Sequence, residues 1–310
     1  MVIIPVISGA MWGSAGIFVR ALYGFGFDNN TVIFFRIIVA SAILSVGMLI
    51  FDREAFRIKA ADVWLFILCG AVGIIGLNLC YNEAMTRLTL SLAAVLLSLT
   101  PVFVMLLASV VLKEKITAKK LLCTMFAVIG CALVSRVFES GEGPVLSVSG
   151  ILAGIAAAVF YALYSVFSKM TMKKGYNVFT ITFYSMLTGV LALAPFADWM
   201  MIGDFILEAP AGNSLFIVIN ALCTSVFPYV LYTLSLSYVD TGKVSILASG
   251  SEPAAAMIFG MIFFAEMPTV LSVCGLAVTI AALWLLCRPD RSDSGDLSGK
   301  GGGRYLQKGE

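Results

Sequence analysis

The residue with the clearest chemical potential is Glu252, which stands in the middle of a long apolar stretch beside Ser249. Apolar surroundings penalise a charged carboxylate, so the group must be neutralised, be paired with a cation or have a function such as ligand binding. They also favour the neutral form, which makes Glu252 a candidate for proton exchange as well as for binding a cationic group. The alternative is a structural hydrogen bond to a serine or to a helix end.

Prolines accompany this glutamate and its counterpart earlier in the chain. Glu252 precedes Pro253, and 152 residues before them Thr100 precedes Pro101. A proline inside a helix frees the carbonyl of the residue four positions earlier. The freed carbonyls could line a cavity with water or substrate, or they could be satisfied at a packing kink by nearby serine hydroxyls. Their matching positions favour Pro101 and Pro253 as hinges of a shared site, with Thr100 in the place of Glu252.

The same register continues beyond the prolines. Glu114 lies thirteen residues after Pro101, and Glu266 lies thirteen residues after Pro253. Both glutamates fall between apolar segments, and each is followed three residues later by a threonine, a common helix-start residue. They are therefore expected to shape tight turns between helices and to carry no chemistry.

A second candidate carboxylate, Glu83, lies near the end of the third apolar segment with Asn78 and Tyr81. It could face a vestibule together with those two side chains, or it could be solvated and pair with Arg87 four residues later. Arg36, inside the second apolar segment, is a candidate counter-charge for either glutamate. It could instead extend to the surface or cap a neighbouring helix end.

Membrane-spanning helices are the elements that must position these residues. Hydrophobic residues make up 60% of the 310 residues and charged residues only 12%, far less charge than a soluble chain exposes. Ten apolar segments each approach the ~20 residues that cross a bilayer, and lipid offers no partner for the backbone polar groups of any open structure. The segments cover residues 2–23, 30–51, 62–81, 89–112, 119–138, 147–170, 177–197, 213–236, 243–265 and 268–287.

The distribution of Lys and Arg predicts the orientation. Sixteen of them lie in the C-terminal tail or on the side of the membrane where the even-numbered segments end. Three lie on the opposite side. Positively charged loops stay on the cytoplasmic side, so both termini are expected in the cytoplasm. The expected location is the plasma membrane of a prokaryotic cell.

Five helices in each half invert the second half relative to the first. The predicted organisation is a five-helix repeat over residues 1–138, an extracytoplasmic linker over 139–146, a second repeat over 147–288 and a disordered cytoplasmic tail over 289–310. Inverted repeats can supply two equivalent conformations that open to opposite faces. A channel or a membrane enzyme could use the same architecture.

The chain resembles the EamA-type branch of the drug/metabolite transporter superfamily over residues 2–287. No single motif carries this resemblance; their order, spacing and duplication do. The residues concerned are Trp12-Gly13, Tyr161-Ala162, Phe35-Arg36, Ala84, Glu252 and the two proline-to-glutamate spacings that end at Glu114 and Glu266. The resemblance implies ten helices in two inverted repeats and a central cavity lined by helices 1, 3, 4, 6, 8 and 9.

By that resemblance five aromatic residues lie in cavity-lining helices. Aromatic rings together with one or two carboxylates suit an amine or a quaternary ammonium group through cation–π contact. Each of these rings could also be ordinary core packing. The five are Trp12, Tyr161, Tyr164, Tyr229 and Tyr232.

Several other chemistries are excluded by composition. The chain has no histidine, and its seven cysteines are scattered without CxxC spacing. Neither a Walker loop nor a GxGxxG pattern is present, and no basic patch indicates nucleic-acid binding. The sequence therefore predicts a protein that is not an enzyme and needs no cofactor or metal.

The predicted function is secondary active transport of small amino-acid-like or amine-like metabolites, as an exporter or exchanger, with lipid and a small molecule as partners and protons as the candidate coupling ion. The alternatives are a membrane-embedded binding or sensor protein without net transport, and a channel. A phosphorylated sugar would require several intramembrane cations, and only Arg36 is clearly available.

Overall fold

The computed structural model describes residues 2–88, 90–134, 147–265 and 267–287, and within these ranges the secondary structure is helical with no strand. The expected linker (139–146), the expected tail (289–310) and Glu266 lie outside the described residues. The long helical units in these ranges are, in chain order, α1 (Ile3–Gly24), α2 (Asn29–Phe51), α3 (Ala60–Arg87), α4 (Leu90–Leu97 with Thr100–Val111), α5 (Ala118–Val134), α6 (Val148–Lys173), α7 (Val178–Phe196), α8 (Pro210–Tyr238), α9 (Thr241–Phe264) and α10 (Val270–Cys287).

Nine of the described units, all except α5, are long and apolar enough to cross a membrane. The α5 unit has 17 described residues and ends where the described chain breaks off at residue 134. The chain is thus an integral membrane protein built of helices, as the composition predicts.

Two boundaries differ from the expected segments. Helix α3 continues to Arg87 instead of ending at 81, because Glu83 and Arg87 form an ion pair one turn apart on its last turns. A short helix, Trp199–Glu208, occupies the expected loop before α8. Its start is set by Asp198, whose side chain accepts a hydrogen bond from the backbone N–H of Met201 at 3.0 Å.

Pro101 lies near the middle of the span Ala93–Val111, and the helix is interrupted just before it. The first part of α4 ends at Leu97, and a second part begins at Thr100, so Pro101 lies in a first helical turn where its missing N–H costs little. The Thr100 hydroxyl donates to the Leu97 carbonyl at 2.6 Å and satisfies the group that the break frees. Pro253, in contrast, lies inside the unbroken helix α9.

Wide π turns interrupt α3 and α8. They cover Leu68–Ile74 and Leu222–Val226, so residues 70–74 and 222–226 correspond in the 152-residue register. In α8 the turn precedes Pro228, which cannot donate a backbone hydrogen bond. Such turns leave carbonyl groups free along one side of a helix and often mark functional positions.

The contact between α5 and α10 depends on small residues. A Cβ atom on Gly130 would lie 2.1 Å from the Thr279 Oγ1 atom and 2.8 Å from the Gly275 carbonyl oxygen, so the two helices touch at backbone distance. Four of the buried positions in each helix share the 152-residue register. They are Lys120, Cys123, Ala127 and Gly130 in α5, and Ser272, Gly275, Thr279 and Ala282 in α10.

One end of the bundle, here called the basic end, carries residues 51–62, 112–118, 173–178 and 238–241. Glu114 accepts hydrogen bonds from the backbone N–H of Thr241 at 3.1 Å and from its hydroxyl at 2.7 Å. It caps α9, whose own N-cap residue, Asp240, instead forms an ion pair with Lys120 at 2.9 Å. Glu114 is therefore structural, as expected, although it fixes a helix of the other half and not only its own turn.

A second tie at the basic end joins the loop before α3 to the loop after α6. The Asp62 carboxylate forms an ion pair with Lys174 and accepts a hydrogen bond from the Tyr176 hydroxyl at 2.8 Å. Nearby, the Asn177 amide donates to Asp52 at 2.9 Å. Polar ties between the two halves of the chain thus hold this end together.

Substituting Gly130 with alanine should destabilise the protein. The added methyl group must push α5 and α10 apart, and overpacking of this kind costs about 1–3 kcal/mol. Gly47→Ala is the matched control, because nothing lies within 4 Å of a Cβ atom there. It should raise stability slightly through helix propensity. Thermal unfolding in detergent measures both; equal melting temperatures for the two variants would contradict the contact.

Removing the Glu114 cap should loosen the start of α9. Glu114→Ala leaves the N–H and hydroxyl of Thr241 without their acceptor, at a cost of about 0.5–2 kcal/mol. Hydrogen exchange of the α9 first-turn amides should accelerate. Glu54→Ala is the control, because the Glu54 side chain is 85% exposed and forms only a long ion pair, with 3.9 Å between its Oε1 atom and Arg57 Nη1. Unchanged α9 exchange in Glu114→Ala would refute the capping role.

Candidate functional site

The centre of the bundle is set by a close crossing of α1 and α9. A Cβ atom on Gly9 would lie 2.1 Å from the Ala248 carbonyl oxygen, and one on Gly13 would lie 2.6 Å from the Glu252 carbonyl oxygen. Only glycine permits backbones to approach this closely. The crossing brings Trp12, the residue before Gly13, to the level of Glu252.

Aromatic side chains from α1, α6 and α8 meet beside this crossing. The Trp12 ring centroid lies 5.8 Å from that of Tyr161, 5.1 Å from that of Tyr229 and 5.4 Å from that of Tyr232. Tyr164 joins them at 5.4 Å from Tyr229. The five aromatic residues singled out in the sequence therefore form one cluster. The Trp12 indole fills the space among three tyrosines, so the rings contact one another edge to face or tilted.

The tyrosine hydroxyls divide into two kinds. The Tyr232 hydroxyl is hydrogen-bonded to the Ser165 hydroxyl at 2.7 Å, and the Tyr164 hydroxyl to the Thr233 hydroxyl at 3.1 Å. The Tyr161 hydroxyl is buried and has no hydrogen-bond partner among the described residues. A buried polar atom without a partner is costly, and in a native structure it needs a reason such as a ligand.

Glu252 is near this unpartnered hydroxyl. Its carboxylate lies within electrostatic range of Tyr81, Tyr161 and Tyr229. The residue is only partly buried, and no described side chain forms an ion pair or hydrogen bond with its carboxylate. A partly exposed carboxylate without a partner in mid-helix can receive a cationic group or a proton.

The carbonyl of Ser249, which Pro253 frees, has a partner that the sequence did not indicate. The Cys131 thiol of α5 donates to the Ser249 carbonyl oxygen at 3.9 Å. Cys131 is one of the seven scattered cysteines, and only the folded chain brings its sulfur to the carbonyl that Pro253 frees. The Ser249 hydroxyl itself is buried without a partner. Ser249 is three residues before Glu252, so the two side chains are neighbours on one face of α9.

The remaining candidates differ in position. Thr100 is buried and uses its hydroxyl within α4. The Asn78 side chain donates to the Ile74 carbonyl at 2.7 Å, at the end of the π turn of α3. Glu83 lies apart from the centre, half exposed and paired with Arg87, which also donates to the Ser149 hydroxyl at 3.0 Å.

Arg36 of α2 is buried, and it lies within electrostatic range of Tyr229. Its Nε atom has no hydrogen-bond partner, and within the described residues its side chain forms no ion pair with Glu252 or Glu83. The structure therefore places two separate unpaired charges, Glu252 and Arg36, around the same tyrosine.

A cavity of about 300 Å³ lies elsewhere, at the end of the bundle opposite the basic end. Phe25, Phe27 and one side of the short helix Trp199–Glu208 line it. It contains none of the residues that the sequence singled out, and its acidic side chains sit on the surface helix.

The two classes of tyrosine hydroxyl predict opposite behaviour. Tyr232→Phe should lower the free energy of unfolding by about 0.5–1.5 kcal/mol, because the buried Ser165 hydroxyl loses a hydrogen bond. Tyr161→Phe removes a hydroxyl that has no partner and should leave stability unchanged or slightly raised. Denaturant unfolding of both variants measures the difference. A larger loss in Tyr161→Phe than in Tyr232→Phe would contradict this division.

Comparison with known proteins gives relatives along nearly the whole chain. A protein of Archaeoglobus fulgidus named as an uncharacterized transporter is 27% identical over 284 residues, which cover 91% of this chain and 94% of that protein. A Streptantibioticus cattleyicolor protein named "Probable terminal-alkyne amino-acid exporter" is 25% identical over 288 residues, with 91% and 92% covered.

A crystal structure of another protein superposes with a TM-score of 0.74 over 92% of this chain and 95% of that one. At 15% identity it shows the shared fold alone. The model of the EamA-like transporter family matches twice, over residues 1–136 and 148–288. Since these two matches account for most of the sequence, the chain belongs to the EamA-like transporter family.

Proposed function

We propose that the protein is a secondary active transporter, an exporter or exchanger, of small amino-acid-like or amine-like metabolites. The observation that carries this proposal is the centre of the bundle. There the unpaired carboxylate of Glu252 and the unpartnered hydroxyls of Tyr161 and Ser249 surround an aromatic cluster. Polar groups without partners at mid-membrane depth are characteristic of a substrate path.

The proposal includes two inverted five-helix repeats, residues 1–138 and 147–288. The family match falls once in each half. Lys113 and Ala265 both have positive φ and are 152 residues apart, and so are the last residues of the two π turns, Ile74 and Val226. The shared register of buried positions in α5 and α10 supports the same two-fold relation.

Alternating access would use the differences between the halves. Helices α1 and α4 are interrupted at Ser14 and before Thr100, whereas their counterparts α6 and α9 are continuous. In this mechanism the polar ties at the basic end would close that end. Breaking the Glu114 cap and the Asp62–Lys174 pair, with Pro101 and Pro253 as hinges, would open it.

The basic end would face the cytoplasm, with both termini on that side, in the plasma membrane of a prokaryotic cell. The excess of Lys and Arg at this end supports the orientation. A relative named as an amino-acid exporter supports the substrate class. Glu252 would bind the substrate's amino group or a coupling proton, one at a time.

Glu252→Gln in proteoliposomes tests the function. The amide keeps the size of the side chain and loses both charge and proton exchange. We expect uptake of labelled amino acids and amines driven by an imposed pH gradient to fall at least tenfold, and amine binding to weaken because the ammonium group loses its carboxylate partner. Glu83→Gln, at a surface ion pair, is the control and should transport normally.

Counterflow in the same vesicles separates the alternatives. A transporter accumulates labelled substrate against unlabelled substrate trapped inside, which a channel cannot do. Binding without any flux would identify a sensor. If flux driven by the pH gradient is the same in Glu252→Gln as in the unmodified protein, the coupling role of Glu252 is overturned.

A further inference from the structure

Arg36 is a buried cation that the transport mechanism above does not use. Its side chain arises from α2, the residue is 9% exposed, and its Nε atom is enclosed without a hydrogen-bond partner. None of the described residues forms an ion pair or hydrogen bond with its guanidinium. An unpaired charge at such a position is destabilising, so it is retained for a purpose that the chain alone does not fulfil.

The ordinary roles of an intramembrane arginine do not apply here. An arginine that extends to the membrane surface keeps its guanidinium in water, whereas Arg36 is 9% exposed as a residue and its Nε atom is enclosed. An arginine that caps a helix end donates to carbonyl oxygens. Helix α2 packs against the π turn Leu222–Val226 of α8, yet no carbonyl of that turn accepts a hydrogen bond from Arg36.

No described carboxylate pairs with Arg36, and the π turn of α8 that packs against α2 carries hydroxyl groups. In the π turn the Ser225 hydroxyl is buried and unpartnered. Tyr229 lies four residues later, on the same face of α8, within electrostatic range of Arg36. A guanidinium beside a free hydroxyl suits a carboxylate, which accepts two parallel hydrogen bonds from an arginine.

Tyr229 also lies within electrostatic range of Glu252. It packs against Trp12 at 5.1 Å, and Trp12 precedes the glycine that touches the Glu252 backbone. Glu252 and Arg36 therefore flank one tyrosine without pairing with each other. Together they carry one negative and one positive charge, the complement of a molecule with one of each.

We propose that Arg36, assisted by Ser225, is a carboxylate-binding subsite, so that Glu252 and Arg36 together select zwitterionic amino acids over amines. This deepens the proposed function and rests on it. The ammonium group would bind at Glu252, the carboxylate at Arg36, and Tyr229 would lie between them. The aromatic cluster would contact the side chain of the amino acid.

Matched compounds test the proposal without any mutation. Each set contains an amino acid, the amine that lacks its carboxylate and the acid that lacks its amino group. One set is phenylalanine, phenethylamine and 3-phenylpropanoate, and another is leucine, 3-methylbutylamine and 4-methylpentanoate. Their dissociation constants for the detergent-purified protein should favour the amino acid over either partial compound by roughly tenfold to a hundredfold, as expected for a charged hydrogen-bonded contact.

Variants then assign the preference to Arg36. In Arg36→Gln the amino acid should bind within about twofold of its amine, while the affinity of the amine itself stays unchanged. Arg36→Lys keeps the charge and should retain part of the preference. Arg87→Gln, at an exposed arginine, is the control and should keep the full preference.

The outcomes separate this inference from the function on which it rests. If unmodified protein binds the amine as tightly as the amino acid, Arg36 is not a carboxylate subsite, although amine transport through Glu252 stands. Equal weakening of amino acid and amine in Arg36→Gln would also overturn the subsite. If neither an amino acid nor an amine binds the unmodified protein, both proposals fail.

Discussion

The backbone contact between α1 and α9 determines where every other group at the centre can stand. Gly9 and Gly13 let α1 lie directly against the carbonyls of Ala248 and Glu252. Helices in lipid gain little from burying apolar side chains, since lipid tails are equally apolar, so close packing of small residues is what holds them together. The same device recurs at Gly130 and Gly275, which hold α5 against α10.

The carbonyl groups that the prolines of α4 and α9 leave without a backbone partner each receive a side-chain donor. The Leu97 carbonyl receives the Thr100 hydroxyl, and the Ser249 carbonyl receives the Cys131 thiol. Within lipid, backbone groups without partners are too costly to persist. The break in α4 and the proline in α9 thus leave neither of these two carbonyl groups unsatisfied.

Several buried side-chain hydroxyls, unlike these backbone carbonyls, have no hydrogen-bond partner. Tyr164 and Tyr232 use their hydroxyls inside the protein, whereas those of Tyr161 and Ser249 have no partner. Among the described residues eight buried side-chain polar atoms lack a hydrogen-bond partner, and those of Tyr161, Ser249 and Arg36 belong to the candidate site.

At the basic end, polar side chains of one half of the chain find their partners in the other half. Glu114, from the loop after α4, caps a helix of the second half, and Asp240 is left free to pair with Lys120. Contacts of this kind join the halves through a few charged groups near water, where such bonds can form and break with small changes in free energy.

The sequence by itself determined the class of fold, because hydrophobic segments near twenty residues leave only helices as an answer in lipid. It also indicated Glu252 and the aromatic group, since a carboxylate or a tyrosine is conspicuous in an apolar stretch. It could not determine that α4 breaks at Pro101, that Glu83 pairs with Arg87 away from the centre, or that Cys131 reaches Ser249.

Those features depend on which helices become neighbours, and hydropathy carries no information about neighbours inside a membrane. The π turns of α3 and α8 are an example. Their positions depend on local proline and glycine, but their importance depends on Tyr164 packing against Gly73 and on α2 lying beside Ser225. The sequence therefore determined what crosses the membrane. Only the tertiary structure decided which polar groups find partners, because a partner is a property of packing and not of spacing along the chain.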